Sequence, residues 1–268
     1  MNKKFDTAPI TEAKISAALS SVGIDEKKIR IRVFDTVGST NTVAKEIAHE
    51  GITTLVVANG QSGGRGRLGR SFSCPDGAGV YMSLLCYPKI AATEASRLTC
   101  LAAVAAARAV ERLSGITPFI KWVNDLYVGD KKLCGILTEG SANNDGNLSY
   151  AVIGIGLNVH AADLGEAAKI ATSIEAEGGS PTERCALIAQ ILKSLLPMLE
   201  ASDTAPFFKE YVNRASPIVG KRVTVIRGDE AYPATVLGIE GDGRLLVENG
   251  NGELIHLGSG EVSLSFKV

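Results

Sequence analysis

Apolar residues recur along the first 216 positions with two different periods. Short runs rich in β-branched residues predict strands, and longer stretches with an apolar residue at every third or fourth position predict helices. The predicted helices are 10–21, a segment between the candidate caps Ser39-Thr40-Asn41 and the stop Gly51, 93–113, 182–199 and 205–213. The predicted strands are 30–35, 53–58, 79–86, 119–122, 126–128, 133–139 and 148–157. Residues 59–79 fit neither period, and a loop of that length inside a compact domain is usually functional.

The pattern changes near Ser216-Pro217. From residue 219 onward the helical period is absent, and glycine-rich turns separate short β runs at 222–226, 234–239, 245–248, 253–257 and 262–265. This spacing predicts a small five-stranded barrel of about fifty residues, SH3-like in size. We therefore expect a helical extension at 1–29, a larger domain at 30–216 and a barrel domain at 217–268.

The composition of the 268 residues excludes several classes of protein. A formal net charge of −1 argues against wholesale binding of nucleic acid or of an anionic membrane. The longest apolar run, near 101–110, contains Arg108 and is too short to span a bilayer, and residues 1–6 do not resemble a signal peptide. Five cysteines without a C-x-x-C pair indicate reduced thiols, with neither disulfides nor a zinc site, and therefore a cytoplasmic protein.

Glycine and arginine alternate between Gly63 and Arg70, in the run G-G-R-G-R-L-G-R that we call the arginine loop. The planar fork of arginine binds carboxylate or phosphate through two parallel hydrogen bonds, and glycine lets the backbone approach a ligand closely. An RNA-gripping arginine patch or a purely structural loop would contain the same residues, but this run is single, non-repetitive and framed by strands. Phe72, just beyond it, is either a hydrophobe that fixes the loop or a stacking surface for a base.

A second cluster of candidate residues follows the predicted helix at 93–113. It comprises the run K-W-V-N-D at 121–125 and the run K-L-C-G-I-L at 132–137. Lys132 either extends into water beside Lys131 or, because the residues after it enter the core, points its ammonium into a cleft. Asn124-Asp125 could form a simple turn, since both residue types tolerate turn geometry.

These runs together resemble the signature of the biotin–protein ligases, which reads G-R-G-R-x-G-R followed by K-W-x-N-D and K-K-x-x-G-I-L. Ser39-Thr40-Asn41 matches the S-T-N of that family, Gln61 its glutamine, and residues 154–158 its G-x-G-x-N strand end. The resemblance begins near residue 30 and departs at Val123, where the family usually has proline. It implies an α+β fold of the class II synthetase type, a mixed β-sheet backed by helices with a small C-terminal SH3-like β-barrel.

The resemblance also implies roles for the matching residues. The expected biotin-binding residues are Ser39, Thr40, Asn41, Gln61, Arg65, Gly66, Arg67 and Lys132. The expected ATP- and adenylate-binding residues are Arg67, Arg70, Phe72, Asn124, Lys132 and Asn158. Lys132 and Arg67 are the expected catalytic residues, because cations there would neutralise a carboxylate and a phosphate as the two approach. No protein ligand for a metal ion is expected, since Mg²⁺ would arrive with ATP.

The implied reaction has two steps. The carboxylate of biotin attacks the α-phosphorus of ATP to give biotinyl-5′-AMP and pyrophosphate, and a lysine amine then attacks the mixed anhydride. That lysine would belong to the biotin carboxyl carrier domain of a carboxylase, and we expect the C-terminal barrel to assist this second step. A lipoate– or octanoate–protein ligase or transferase of the same fold type is the alternative, although such an enzyme should lack the arginine loop.

The expected partners follow from the same resemblance. Many bacterial relatives place a helix-turn-helix repressor domain before the catalytic domain, but here the 29 residues that precede the first predicted strand leave room for one helix. We therefore expect biotin, ATP and the carrier domain as partners, with no DNA and no membrane. Relatives occur as monomers and as dimers, so a homodimer stays open.

Overall fold

The computed structural model describes residues 7–161, 169–227, 229–258 and 263–266. Its helices are α1 (Glu12–Ser21), α2 (Thr40–Glu46), α3 (Ala95–Ser114), α4 (Arg184–Glu200) and α5 (Ala205–Ala215). Its first seven strands are β1 (Arg30–Val37), β2 (Thr54–Gln61), β3 (Gly79–Cys86), β4 (Phe119–Lys121), β5 (Asp125–Val128), β6 (Lys131–Ala142) and β7 (Leu148–Asn158). The other five are β8 (Arg222–Arg227), β9 (Glu230–Ile239), β10 (Leu245–Asn249), β11 (Leu254–Leu257) and β12 (Ser263–Phe266). Residues 1–6 and Val262, which carried sequence predictions, lie outside the described residues.

The larger sheet has the strand order β1-β2-β3-β7-β6-β5-β4. Strands β1 and β2 are parallel, and every other neighbouring pair is antiparallel, so the predicted mixed sheet is confirmed. The first residues of β2 alternate between the two faces, since successive side chains of a strand point in opposite directions. Leu55 and Val57 join the main core with α1, α3 and α4, whereas Val56 packs in a smaller cluster with α2 on the other face.

Helix α3 packs its alanine-rich surface into the core of the larger sheet. Ala102, Ala105 and Ala106 are fully buried, and small side chains at these positions bring the helix close to its neighbours. The helix ends at Gly115, which adopts a left-handed conformation with φ of 76°. The predicted helix at 93–113 is thus confirmed with its start shifted to Ala95, because a short 3-10 turn occupies residues 92–94.

The C-terminal residues form the second sheet, with the strand order β11-β10-β9-β8-β12 and antiparallel pairing throughout. All five predicted strands are present. Strand β9 begins at Glu230, earlier than predicted, because Pro233 pairs with Thr224 inside the strand although proline usually marks a strand's end. Pairing between β11 and β12 is not seen among the described residues, so closure into a barrel stays a prediction.

A buried arginine of α4 connects the N-terminal residues to strand β3 of the larger sheet. The guanidinium of Arg184, 3% exposed, donates to the carbonyl of Ala8 at 2.7 Å and to the carbonyls of Thr7 and Gly79 at 3.4 and 3.3 Å. Asn59 adds two bonds, because its side chain accepts from the amide of Ile10 and donates to the carbonyl of the same residue. The segment before α1 is therefore part of the packed structure.

None of the helices in the described ranges is both long enough and apolar enough to cross a bilayer.

Replacing Arg184 with methionine should destabilise the fold, because hydrogen bonds from a charged donor contribute about 1.5–3 kcal/mol each and the three carbonyls would lose that donor. We expect the free energy of unfolding in urea to fall by about 3 kcal/mol. Arg112→Met, on the exposed side of α3, is the control and should change it by less than about 0.5 kcal/mol. Equal effects of the two substitutions would contradict this account of Arg184.

Candidate functional site

A cavity of about 260 Å³ opens between the arginine loop and the face of the larger sheet. Every residue for which the sequence predicted a ligand contact lines it: Ser39, Thr40, Asn41, Gln61, Arg65, Gly66, Arg67, Arg70, Phe72, Asn124, Lys132 and Asn158. These residues come from separate strands, from α2 and from the loop, so the fold brings them together from distant parts of the sequence. Which ligand atoms they contact stays a prediction.

Backbone hydrogen bonds shape the arginine loop. The amide of Gly63 donates to the carbonyl of Gly38 at 2.8 Å, and the amide of Phe72 donates to the carbonyl of Gly64 at 2.9 Å. A β-carbon at Gly64 would lie 2.4 Å from the Phe72 carbonyl oxygen, which is far inside van der Waals contact. Glycine is therefore required at that position for the loop to fold back over the cavity.

One end of the cavity is built from uncharged polar groups. The Gln61 side-chain oxygen accepts hydrogen bonds from the amide of Thr40 at 2.8 Å and from its hydroxyl at 3.2 Å. The Gln61 side-chain nitrogen lies 2.9 Å from the sulfur of Cys74, and burial raises the pKa of that thiol to about 12, so the thiol is protonated at neutral pH. The hydroxyl oxygen of Ser83 lies 2.7 Å from that of Thr40. These bonds fix the orientation of the Gln61 amide.

Asn41 lies beneath this neutral end, with both atoms of its amide bonded to the protein. Its oxygen accepts from Ser83 at 2.6 Å, and its nitrogen donates to the Leu137 carbonyl at 3.2 Å and to Glu139 at 2.8 Å. Burial raises the pKa of Glu139, but hydrogen bonds from Lys45 and Asn41 outweigh burial and hold it below the usual value. Asn41 thus supports the cavity floor, which gives it a structural role beside the predicted ligand contact.

The opposite end is cationic, and Lys132 is its centre. The ammonium of Lys132 lies 2.7 Å from a carboxylate oxygen of Asp125, whereas the neighbouring Lys131 is exposed. The Lys132 backbone pairs in parallel with Ala171, through bonds to Ile170 at 2.8 Å and Thr172 at 2.9 Å. The sequence left two interpretations of Lys132, an ammonium in water or an ammonium in a cleft. The structure supports the second, because Lys132 lines the cavity.

The side chain of Arg67 contacts the turn between β4 and β5. Its guanidinium lies 3.4 Å from the side-chain oxygen of Asn124, whose nitrogen donates to the Ile136 carbonyl at 2.8 Å. Burial lowers the pKa of Arg67, but an arginine remains charged at neutral pH. The other arginines of the loop are exposed, and the Arg65 guanidinium is hydrogen-bonded to the hydroxyl of Thr42.

Phe72 lies inside the cavity. Its ring rests against the backbone of Gly135 and Gly156 on adjacent strands, and its centroid is 5.7 Å from the Lys132 ammonium. Asn158, at the end of β7, is buried and donates to the Thr172 carbonyl at 2.9 Å. Phe72 and Asn158 therefore both line the cavity, and the stacking of Phe72 on a base stays a prediction.

Sequence reasoning assigned no role to three further residues of the cavity, namely Lys121, Asp125 and Tyr127. The Lys121 ammonium lies 4.7 Å from the centroid of the Tyr127 ring, and burial lowers its pKa. The sequence did contain a feature that could have predicted two of them, because Lys121 and Asp125 begin and end the K-W-V-N-D run. In the structure these two residues are paired across β4 and β5. Ser83, which supports Asn41 from below, was also missed. The feature that could have identified it is a polar side chain in the middle of the apolar strand β3.

The charges of the cavity are strongly unbalanced. Asp125 is the one carboxylate among the lining residues of the described chain, whereas five cations line the cavity: Arg65, Arg67, Arg70, Lys121 and Lys132. No cluster of three or more histidine, cysteine, aspartate or glutamate residues that could hold a metal ion occurs within the described ranges. The cavity can therefore take a ligand with several negative charges at one end and neutral hydrogen-bonding groups at the other.

The mixed sheet backed by helices, with a cavity on its face, places the chain in a class of α+β proteins that includes biotin and lipoate ligases. Residues 33–158 match the model of the Biotin/lipoate A/B protein ligase family, and residues 218–265 match the Biotin protein ligase C terminal domain. The chain belongs to the biotin protein ligase family. The resemblance noted from the sequence motifs is thereby confirmed.

Two curated relatives illustrate the similarity in sequence. The chain is 35% identical over 227 residues to the bifunctional ligase/repressor BirA of Bacillus subtilis, a match that covers 81% of this chain and 69% of that one. It is 31% identical over 230 residues to the biotin–[acetyl-CoA-carboxylase] ligase of Paracoccus denitrificans, covering 81% of this chain and 93% of the relative.

The fold also matches a solved structure with ligands. A biotin protein ligase from Aquifex aeolicus in complex with biotin and ATP superposes with a TM-score of 0.73 at 25% sequence identity. The match covers 89% of this chain and 99% of that one, and so includes most of both sheets.

Replacing Gly154 with alanine should disturb the floor of the neutral end. The new β-carbon would lie 2.1 Å from the side-chain oxygen of Asn41, which cannot retreat without breaking its bonds to Ser83 and Glu139. Overpacking of this kind typically destabilises a protein by about 1–3 kcal/mol, and we expect that loss in urea unfolding. Gly238→Ala, in a strand with no atom within 4 Å of the added carbon, is the matched control. A loss no larger than the control's would show that Asn41 is not held rigidly.

Proposed function

We propose that the protein activates biotin with ATP to biotinyl-5′-AMP and pyrophosphate, and then transfers biotin to a lysine of a biotin carboxyl carrier domain. The observation that carries the proposal is the division of one cavity into a neutral end at Thr40 and Gln61 and a cationic end at Arg67 and Lys132. Biotin has the matching asymmetry, with an uncharged ureido ring at one end and a carboxylate at the other. Membership of the biotin protein ligase family agrees with this assignment.

The neutral end favours biotin over lipoate. A ureido group has one carbonyl and two N–H groups that need partners, whereas the dithiolane ring of lipoate has none. Gln61 uses one hydrogen of its amide nitrogen toward Cys74, which leaves the second able to donate to a ureido oxygen. The Ser39 hydroxyl makes no capping bond to α2 and lines the same end. Buried polar groups of this kind would lose their partners if lipoate were bound, and they therefore discriminate against it.

The cationic end makes the first step feasible. The biotin carboxylate and the α-phosphate are both anionic and must approach within about 3.5 Å, where their repulsion is large in a cavity that excludes water. Lys132 and Arg67 would stand beside the two groups and neutralise charge as the oxygen–phosphorus bond forms and pyrophosphate leaves. Mg²⁺ would enter with the phosphates of ATP as part of the substrate.

The second step consumes the adenylate. The lysine amine of the carrier attacks the biotinyl carbonyl, the bond from that carbonyl to the phosphate oxygen breaks, and AMP leaves with its electron pair. The arginine loop would cover the anhydride until the carrier arrives, because the loop lies over the cavity and a covered anhydride is protected from water. We propose the carboxylase carrier as acceptor, with a cytoplasmic location; the absence of DNA binding and the state of association stay predictions.

The test is the exchange of labelled pyrophosphate into ATP, measured with biotin, Mg²⁺ and the purified protein. Exchange that requires biotin and is absent with lipoate is the expected result. Exchange with lipoate and not with biotin would replace the proposal with its lipoate alternative. A second incubation with a carrier domain and labelled biotin tests the transfer step.

Lys132→Ala should slow adenylate formation by about a hundredfold, because an ammonium beside two anions contributes most in the transition state. Lys131→Ala is the matched control, since Lys131 is the exposed neighbour of Lys132 in the same strand. The measurement is the rate of biotin-dependent pyrophosphate exchange, with the fold checked by circular dichroism. Equal losses from the two substitutions would show that the ammonium in the cavity has no special role.

Arg67→Gly should release the adenylate. The substitution removes the guanidinium that faces Asn124 and adds a flexible residue to the loop, whose ordering opposes closure by about 1–2 kcal/mol per residue fixed. Biotinyl-AMP would then escape and react with any lysine amine nearby. The measurement is a biotin blot of serum albumin incubated with ATP, Mg²⁺, biotin and either form of the protein. A variant that retains biotinyl-AMP as tightly as the unsubstituted protein and labels albumin no faster would refute the covering role of the loop.

A further inference from the structure

Residues 122–125 form the turn after β4 and the first position of β5, and groups outside the larger sheet hydrogen-bond to this segment. The indole nitrogen of Trp122 donates to the carbonyl of Gly243 at 2.9 Å, and Gly243 lies in the turn between β9 and β10 of the C-terminal sheet. The hydroxyl of Tyr211 in α5 donates to the carbonyl of Val123 at 3.0 Å. Trp122 is 5% exposed and Tyr211 is fully buried, so water cannot replace either bond.

The same four residues carry the groups that meet the cations of the cavity. Asn124 faces the Arg67 guanidinium at 3.4 Å, and Asp125 pairs with the Lys132 ammonium at 2.7 Å. Asn124 is also bonded to Ile136 through both its backbone and its side chain. A displacement of the segment would therefore move the partners of Arg67 and Lys132 together.

The two outer supports are themselves firmly placed. The turn that contains Gly243 is closed by a backbone bond to Glu240 at 2.9 Å, and Gly243 packs against Cys100 of α3 and Phe208 of α5. Burial raises the pKa of Tyr211 well above its usual value, so its hydroxyl keeps the proton that it donates. Both supports thus connect the segment to parts of the molecule that do not line the cavity.

We propose that Trp122 and Tyr211 are positioning residues for the adenylation step. They hold Asn124 and Asp125 where these residues direct Arg67 and Lys132 into the cavity, and Gly243 gives the C-terminal sheet a part in that first step. The inference rests on the proposed function, because it concerns the same cations and the same reaction. It extends the sequence-based expectation, in which the C-terminal domain served only the transfer to the carrier.

Conservative substitutions separate positioning from folding. Tyr211→Phe removes only the hydroxyl, and Trp122→Phe removes the indole donor while keeping a ring. We expect each variant to lower the kcat of biotin-dependent pyrophosphate exchange about tenfold, expressed per biotin-binding site so that unfolded protein is not counted. The dissociation constant for biotin without ATP should stay within about twofold, because neither residue contacts the neutral end at Thr40 and Gln61.

Tyr87→Phe is the matched control, because the Tyr87 hydroxyl also donates to a backbone carbonyl, that of Ala48 at 2.8 Å, but away from the cavity. It should leave kcat and biotin affinity unchanged. A second comparison places Trp122→Phe in an Asn124→Ala/Asp125→Ala background, where it should cause little further loss, since Trp122 acts through these two residues. A merely structural role would instead reduce kcat by the same factor in both backgrounds.

The possible outcomes are distinguishable. If the wild-type protein shows biotin-dependent exchange and both the Tyr211 and Trp122 variants keep its kcat, the positioning role is overturned. The proposed function would then remain intact. A loss of biotin affinity that matches the loss of kcat would overturn it as well, because the defect would then be general. If the wild-type protein shows no biotin-dependent exchange, the proposed function itself fails.

Discussion

The repulsion among like charges on one wall of the cavity is the constraint on which the site depends. Arg67, Arg70, Lys121 and Lys132 converge there, and Asp125 is the carboxylate of the described chain that faces them. Contacts within the protein offset part of this repulsion, because Lys132 is paired with Asp125 and Lys121 lies against the Tyr127 ring. An anionic ligand relieves that repulsion when it binds. The clustered cations therefore oppose folding but favour the binding of a polyphosphate and a carboxylate next to each other.

The neutral end follows the opposite principle, because several of its polar groups are hydrogen-bonded to one another and the remaining donors are held in place. Thr40, Gln61 and Ser83 form a connected set of hydrogen bonds, and Asn41 extends it to Glu139. A connected network loses little freedom when a ligand arrives, and the geometry of its remaining donors and acceptors is fixed beforehand. One end of the cavity is thus preorganised for shape and hydrogen bonding, and the other for charge.

The sequence predicted the strands and helices well where the period was long or strong, as in β3 and α3. It missed the first part of β9, because Pro233 suppressed the strand signal although its missing N–H is tolerated there. For the site, the residues that the motifs predicted all line the cavity, but the charged residues Lys121 and Asp125 had been assigned no role. Ser83 and Tyr211 could not be predicted as partners of the site, since their roles depend on contacts across sheets and helices that one sequence does not reveal.

The position of residues 122–125 at the sheet edge explains why the C-terminal sheet reaches the site at all. Strand β4 is the last strand in the order of the larger sheet and is only three residues long. The turn that follows this short strand has no strand beyond β4 to support it. Asn124 and Asp125 must nevertheless stay close to Arg67 and Lys132. Bonds from α5 and from the β9–β10 turn supply the missing neighbour. The second sheet therefore helps to hold one wall of the cavity in place, although its residues are separated in sequence from those of the larger sheet.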